Sequence, residues 1–179
     1  MNKILISIFL TIIFLLIYFL QINFFNWFTI AGVSPNLFII LIIIIGLFGG
    51  DKTGLIFGVI FGFILDIYIG NVIGINAIFL GLIGYFVKYL DKSFSKESRI
   101  TLILIVAVAT VICEVGKYII QIIIERGNFN IIGPLKVLSI EVLYNSILTI
   151  ILYSIILKLG YLIEKCFKQS KIMHRYFEK

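Results

Sequence analysis

Apolar residues run along this chain in long blocks, at residues 4–20, 36–48, 53–69, 72–87, 100–124 and 135–157, and short polar stretches separate them. A helix that crosses about 30 Å of hydrocarbon needs about 20 residues at 1.5 Å each. The fifth and sixth blocks meet that length, and the second, third and fourth are short by it. Short blocks still span where glycine-rich turns dip into the membrane against protein, or where the bilayer thins. The pattern predicts an all-α integral membrane protein with six transmembrane helices in one bundle. A re-entrant hairpin made by one pair of the short blocks is the alternative.

Met1-Asn2-Lys3 followed by an apolar run resembles a secretory signal. Gln21, Ile22, Asn23, Phe24, Phe25, Asn26 and Trp27 follow it without a small-x-small cleavage site, so an uncleaved first helix is expected. Phe24, Phe25, Trp27 and Phe28 then form an aromatic anchor at headgroup level. The second helix carries a start signature, Ser34-Pro35-Asn36, with Ser34 expected as N-cap and Pro35 at the first helical position, where its missing N–H costs nothing.

Composition agrees with the pattern. Of 179 residues, 61% are hydrophobic and 13% charged, and mean hydropathy is +1.18, whereas a soluble domain carries about 25% charged residues. A cytosolic globular enzyme, a secreted disulfide scaffold and a nucleic-acid-binding domain are excluded on that balance, and no nucleic acid is expected as a partner. The net charge of +6 is read as topology. With the N-terminus inside, the cytoplasmic segments hold Lys3, Lys52, Lys88, Lys92, Lys96, Arg99, Lys158, Lys165, Lys168, Lys171, Arg175 and Lys179. The outer loops hold only Arg126 and Lys136, and Lys117 lies within a span. Both termini are therefore expected in the cytoplasm, with residues 158–179 as a basic tail near anionic lipid headgroups.

Glycines recur at Gly46, Gly50, Gly54, Gly58, Gly62, Gly70 and Gly74, and Asp66 fills the vacant slot of this four-residue period. Small residues four apart let a neighbouring backbone approach. The stripe Gly54, Gly58, Gly62, Asp66, Gly70 and Gly74 is thus a candidate face for packing within the bundle or for a partner's helix, where leucine disrupts and alanine is milder.

Four ionisable residues fall within expected spans: Asp66, Glu114, Lys117 and Glu141. A charge at the bilayer centre costs at least about 2.5–3.5 kcal/mol, so each needs a partner, a cavity or a neutral state. Counting along the helices gathers Asp66, Asn76, Glu114, Lys117, Glu141 and Asn145 in the outer half. Glu114 and Lys117, three apart, are placed to pair, and Glu141 reads as an interfacial residue. Asp66 lacks a local partner. It is either a functional group or an acceptor for a neighbouring helix backbone; as a polar contact it is expected to tolerate asparagine but not leucine, and as a cation- or proton-binding group neither.

Catalytic signals are absent from the sequence. His174 is a tail residue, and no carboxylate pair, phosphate loop, metal-ligand spacing or nucleophile constellation occurs, so neither an enzyme nor a cofactor is expected. Cys113 reads as a buried small hydrophobe and Cys166 as a free juxtamembrane thiol.

The order Ser34-Pro35-Asn36-Leu37, an apolar run, a glycine-stepped helix ending Leu65-Asp66, then Gly70, Gly74-Ile75-Asn76-Ala77 and Gly84-Tyr85 resembles the rod shape-determining membrane protein family MreD. The match covers about residues 33–85. The resemblance implies a non-enzymatic component of the cell-elongation machinery in the bacterial cytoplasmic membrane. It also implies partners: MreC directly, with MreB, RodA and a class B penicillin-binding protein in the same complex. The implied fold is similar to the substrate-binding S components of energy-coupling factor transporters, which makes a transporter subunit the alternative. S components carry a small-xxx-small face on their first helix, where residues 4–20 offer only Ser7 and Thr11.

Overall fold

The computed structural model describes residues 3–68, 72–91, 97–125 and 132–177, with side chains for residues 4–68, 72–89, 97–124 and 132–167. Gly70, Lys92, Lys96, Arg126 and residues 178–179 lie outside the described residues, as do the side chains of the 168–177 segment, His174 included.

The described residues form six helices: α1 (Lys3–Asn23), α2 (Leu37–Ile44, extended by a π-helical turn Ile45–Gly49), α3 (Asp51–Tyr68), α4 (Ile75–Asp91), α5 (Arg99–Glu125) and α6 (Ile132–Phe177). No strand occurs among them; one isolated bridge joins Ile30 and Val33 around a tight turn. Three stretches are long and apolar enough to cross a membrane: Ile4–Asn23, Arg99–Ile124 and Ile132–Phe167. The chain is a membrane protein by that measure. Residues 158–177 continue α6 without a break, so the expected tail is an extension of the last helix. Cys166, expected as a free juxtamembrane thiol, is unbonded but buried in the apolar core.

The centre of the bundle is α2. Its eight residues are all buried, as are Ile45–Phe48 of the π turn. A helix apolar on every face needs neighbours on every face, and α2 touches α1, α3, α4, α5 and α6. That enclosure suits a block shorter than a lone helix needs to cross lipid, because neighbouring helices surround it. The turn after it ends at Gly50, whose φ of 99° reverses the chain into α3.

The helix start differs from the expectation for Ser34 and Pro35. Asn36 is the N-cap residue, α2 begins at Leu37, and no side chain caps it. The backbone N–H of Asn36 instead donates to Asn145 Oδ1 on α6 at 2.7 Å. The carbonyl of Pro35 accepts from Gln21 Nε2 on α1. Tertiary partners at these two positions replace the local cap and delay the helix.

The most extensively packed pair is α3 with α4. A β-carbon on Gly54 or Gly58 would strike the carbonyl oxygen of Gly84 or Leu80, and one on Gly62 would lie 2.5 Å from that of Asn76. Contact at this range is backbone against backbone. Alanine, expected to be milder than leucine at these positions, would already meet backbone with its first added atom. Gly74 plays a different part. It meets no neighbour within 4 Å, and its φ of 103° makes it a turn residue before α4, not a packing one. Gly50 likewise turns the chain at the opposite end.

Candidate functional site: a polar cavity at one end of the bundle

One end of the bundle gathers the C-terminal end of α1, the start of α2, the end of α3, the start of α4, the second half of α5 and the first half of α6. The opposite end carries the Asp51–Lys88 ion pair at 3.1 Å and Arg99, whose guanidinium sits 4.8 Å from the Tyr153 ring centre. The expected polar residues belong to the first end, where the structure divides them into three arrangements.

Asp66, 1% exposed, lies outside the cavity lining and acts on α4. Its Oδ2 accepts the backbone N–H groups of Gly74 and Ala77, each at 3.0 Å. Its Oδ1 accepts the backbone N–H of Asn76 at 3.0 Å and Asn76 Nδ2 at 2.9 Å. The first N–H groups of a helix have no intrahelical acceptor, and here a carboxylate from the preceding helix supplies one. The partial positive charge of the α4 N-terminus favours the same placement. Of the two readings of Asp66, the geometry is that of an acceptor for a neighbouring helix backbone.

The second arrangement is a buried relay. Asn145 accepts from the Asn36 backbone and donates through Nδ2 to Thr110 Oγ1 at 3.0 Å. Thr110 in turn donates to the Val106 carbonyl at 2.8 Å. Thr149, also buried, donates to the Asn145 carbonyl at 2.7 Å. This relay fixes α5, α6 and the start of α2 against one another in the apolar interior. Sequence reasoning passed over Thr110 and Thr149. Their signal was spacing: Thr110 and Glu114 are four apart on α5, and Glu141, Asn145 and Thr149 are four apart on α6, so each set lies on one helix face.

The third is an open cavity of about 450 Å³. Gln21, Asn26, Ser34, Asn36, Asn76, Glu114, Lys117 and Glu141 supply its polar lining, and Phe38, Leu65 and Leu80 are among its apolar walls. Lys117 Nζ donates to Glu114 Oε1 at 2.9 Å, as the three-residue spacing anticipated. Glu141, read as interfacial, is instead 6% exposed, with the Asn36 and Asn145 side chains beside it. Among the described residues three buried acceptors have no hydrogen-bond donor: Gln21 Oε1, Asn36 Oδ1 and Glu141 Oε1. Gln21 had been read only as the first polar residue after an apolar block.

Among the described residues no group of three or more His, Cys, Asp or Glu side chains is placed to hold a metal ion. The arrangement offers acceptors and one ion pair, a chemistry of binding.

Comparison with curated proteins and with solved structures returned no match. A family model described as MreD, rod shape-determining protein MreD, matches residues 1–163. That match spans far more of the chain than the residues on which the resemblance was first seen. It takes in α1 to α5 and most of α6, including the glycine stripe, Asp66 and every residue of the cavity, and the chain belongs to the MreD family of rod shape-determining proteins.

Proposed function

We propose that this chain is a non-enzymatic membrane component of the machinery that elongates rod-shaped bacterial cells, where it binds MreC and helps to organise lateral peptidoglycan synthesis. The observation that carries this reading is the family match over residues 1–163. MreB, RodA and a class B penicillin-binding protein are its further partners in that complex. In this reading all six helices cross the cytoplasmic membrane, both termini are cytoplasmic, and the polar cavity faces outward. The positions of Lys52, Lys88, Arg99, Lys158 and Lys165, all away from the cavity end, support that orientation. The bundle is read as similar in fold to S components. Its support is the helix number and a length that suits them.

The protein brings a lipid-facing apolar surface to this role. On α1, Ile4, Leu5, Ile8, Ile12, Leu15 and Leu16 are exposed, while Ile6, Leu10 and Phe14 form its inward stripe. Co-expression of tagged protein with MreC and purification in detergent tests the reading. MreC is expected at near-equal amount. A folded, monodisperse protein that leaves MreC in the flow-through overturns it.

A second reading, a substrate-binding transporter subunit, is favoured by the cavity with its unpaired acceptors. It requires a soluble solute to bind there, and its expected result is solute uptake that depends on the chain.

A further inference from the structure

The polar cavity does not end at its own wall. A second, mostly apolar groove of about 530 Å³ runs between α5 and α6, lined by Val115, Tyr118, Pro134, Leu135 and Leu138. Glu114 and Lys117 line both spaces. A polar chamber and an apolar groove thus border the same ion pair, which is the division of an amphiphile: a head on one side, a chain on the other.

Three acceptors in the lining lack a donor among the described residues. Gln21 Oε1, Asn36 Oδ1 and Glu141 Oε1 are buried acceptors without partners, and an acceptor left so forfeits the bonds it made to water. Lys117, the cation of the cavity lining, already donates to Glu114. An occupant that relieves the shortfall must bring several N–H donors and, beside Glu141, a positive charge. A primary ammonium has three donors and one charge. Where a phosphodiester would link such a head to its chains, Lys117 offers a cation. We propose that the cavity and groove together hold one phospholipid with a primary-ammonium headgroup. Its ammonium donates to Gln21, Asn36 and Glu141, and one acyl chain lies along the α5–α6 groove. This depends on the chain residing in a membrane, and on neither its role in cell shape nor its orientation.

Native mass spectrometry of the full-length protein released from detergent, with phospholipids of matched acyl chains, tests it. Phosphatidylethanolamine is expected to remain bound at one per protein. Phosphatidylcholine keeps the positive charge but has no N–H, and is expected to bind at least about tenfold more weakly, the worth of a charged hydrogen bond. Glu141→Gln should bring the ethanolamine lipid down to the same level. The wild-type comparison of the two lipids stands even if that variant folds poorly. Free ethanolamine is expected not to displace the lipid, since it leaves the groove empty; displacement at equal concentration would assign the site to a soluble amine and overturn the lipid. Equal retention of the two lipids, or retention of neither, overturns the proposal outright.

Discussion

Asp66, near the end of α3, accepts the backbone N–H of Ala77 in the first turn of α4 at 3.0 Å, and three further donors, one from Gly74 just before the helix and two from Asn76, converge on its carboxylate. The buried charge is thereby paired with a helix terminus, an arrangement that offsets its desolvation without any side-chain cation.

This geometry reverses the expectation for asparagine at position 66. Both carboxylate oxygens receive donors, whereas an amide offers one oxygen and turns its NH₂ toward two N–H groups. Asp66→Asn is expected to destabilise by about 2–4 kcal/mol, nearer to Asp66→Leu than to wild type. Unfolding of the three proteins in matched micelles measures it. An asparagine variant within about 0.5 kcal/mol of wild type would show that the carboxylate is dispensable as a cap.

The glycines separate by what surrounds them. A β-carbon at Gly54 meets the Gly84 backbone, whereas one at Gly81 meets the Val59 side chain at 2.7 Å. Side chains shift and carbonyls locked in two helices do not. Gly54→Ala and Gly58→Ala should each cost about 1–3 kcal/mol through overpacking, with Gly81→Ala milder. Gly74→Ala should cost about 1–3 kcal/mol by strain alone, because its φ is positive. Thermal melts of the four variants rank them, and a Gly81 variant as damaged as the Gly54 one contradicts the account.

These cases show where the sequence spoke and where it stopped. Apolar blocks, the glycine period and the Glu114–Lys117 spacing are local, and each was legible. The role of α2 was not: eight apolar residues look alike whether lipid or five helices surround them, and only the fold distinguishes the two. Ser34 and Pro35 misled for a related reason. Their local capping chemistry gave way to a bond donated by Gln21 to Pro35 and one accepted by Asn145 from Asn36, across 14 and 109 positions. Asp66 was recognised as unpaired within its helix, yet its donors belong to the next turn of chain and become its partners only when α3 and α4 pack.

At the opposite end, Lys88 and Asp51 join the end of α4 to the start of α3. The hydrogen bond from Lys88 holds the Asp51 carboxyl below its ordinary value of 3.8, with slight burial acting against it. A depressed carboxyl contributes stability above its unfolded pKa and loses it as pH falls through the folded one. The pair is partly exposed, so Lys88→Ala should cost under about 1 kcal/mol at neutral pH. That difference should fade as pH falls below the ordinary value and vanish below the lowered folded one. A cost that persists there would assign Lys88 a packing role instead.

The orientation is tested at the two termini. The helix α6 has 46 residues, about 69 Å at 1.5 Å each, more than twice the hydrocarbon thickness. Its cavity end holds Glu141 and Asn145, while Lys158 and Lys165 lie further along, beyond the length needed to cross. In the proposed orientation, positive-inside bias places those lysines on the cytoplasmic side. Alkaline phosphatase fused after residue 179 is therefore expected to be inactive, and a fluorescent protein at the same site to be bright. A tag at residue 2 should resist labelling by a membrane-impermeant reagent in intact cells. Active phosphatase with a protected N-terminal tag would leave an odd number of crossings, which removes one short helix from the spans; α2, enclosed on every side, is the one that would then be re-entrant. Active phosphatase with a labelled N-terminal tag would invert the bundle, with the cavity facing the cytoplasm.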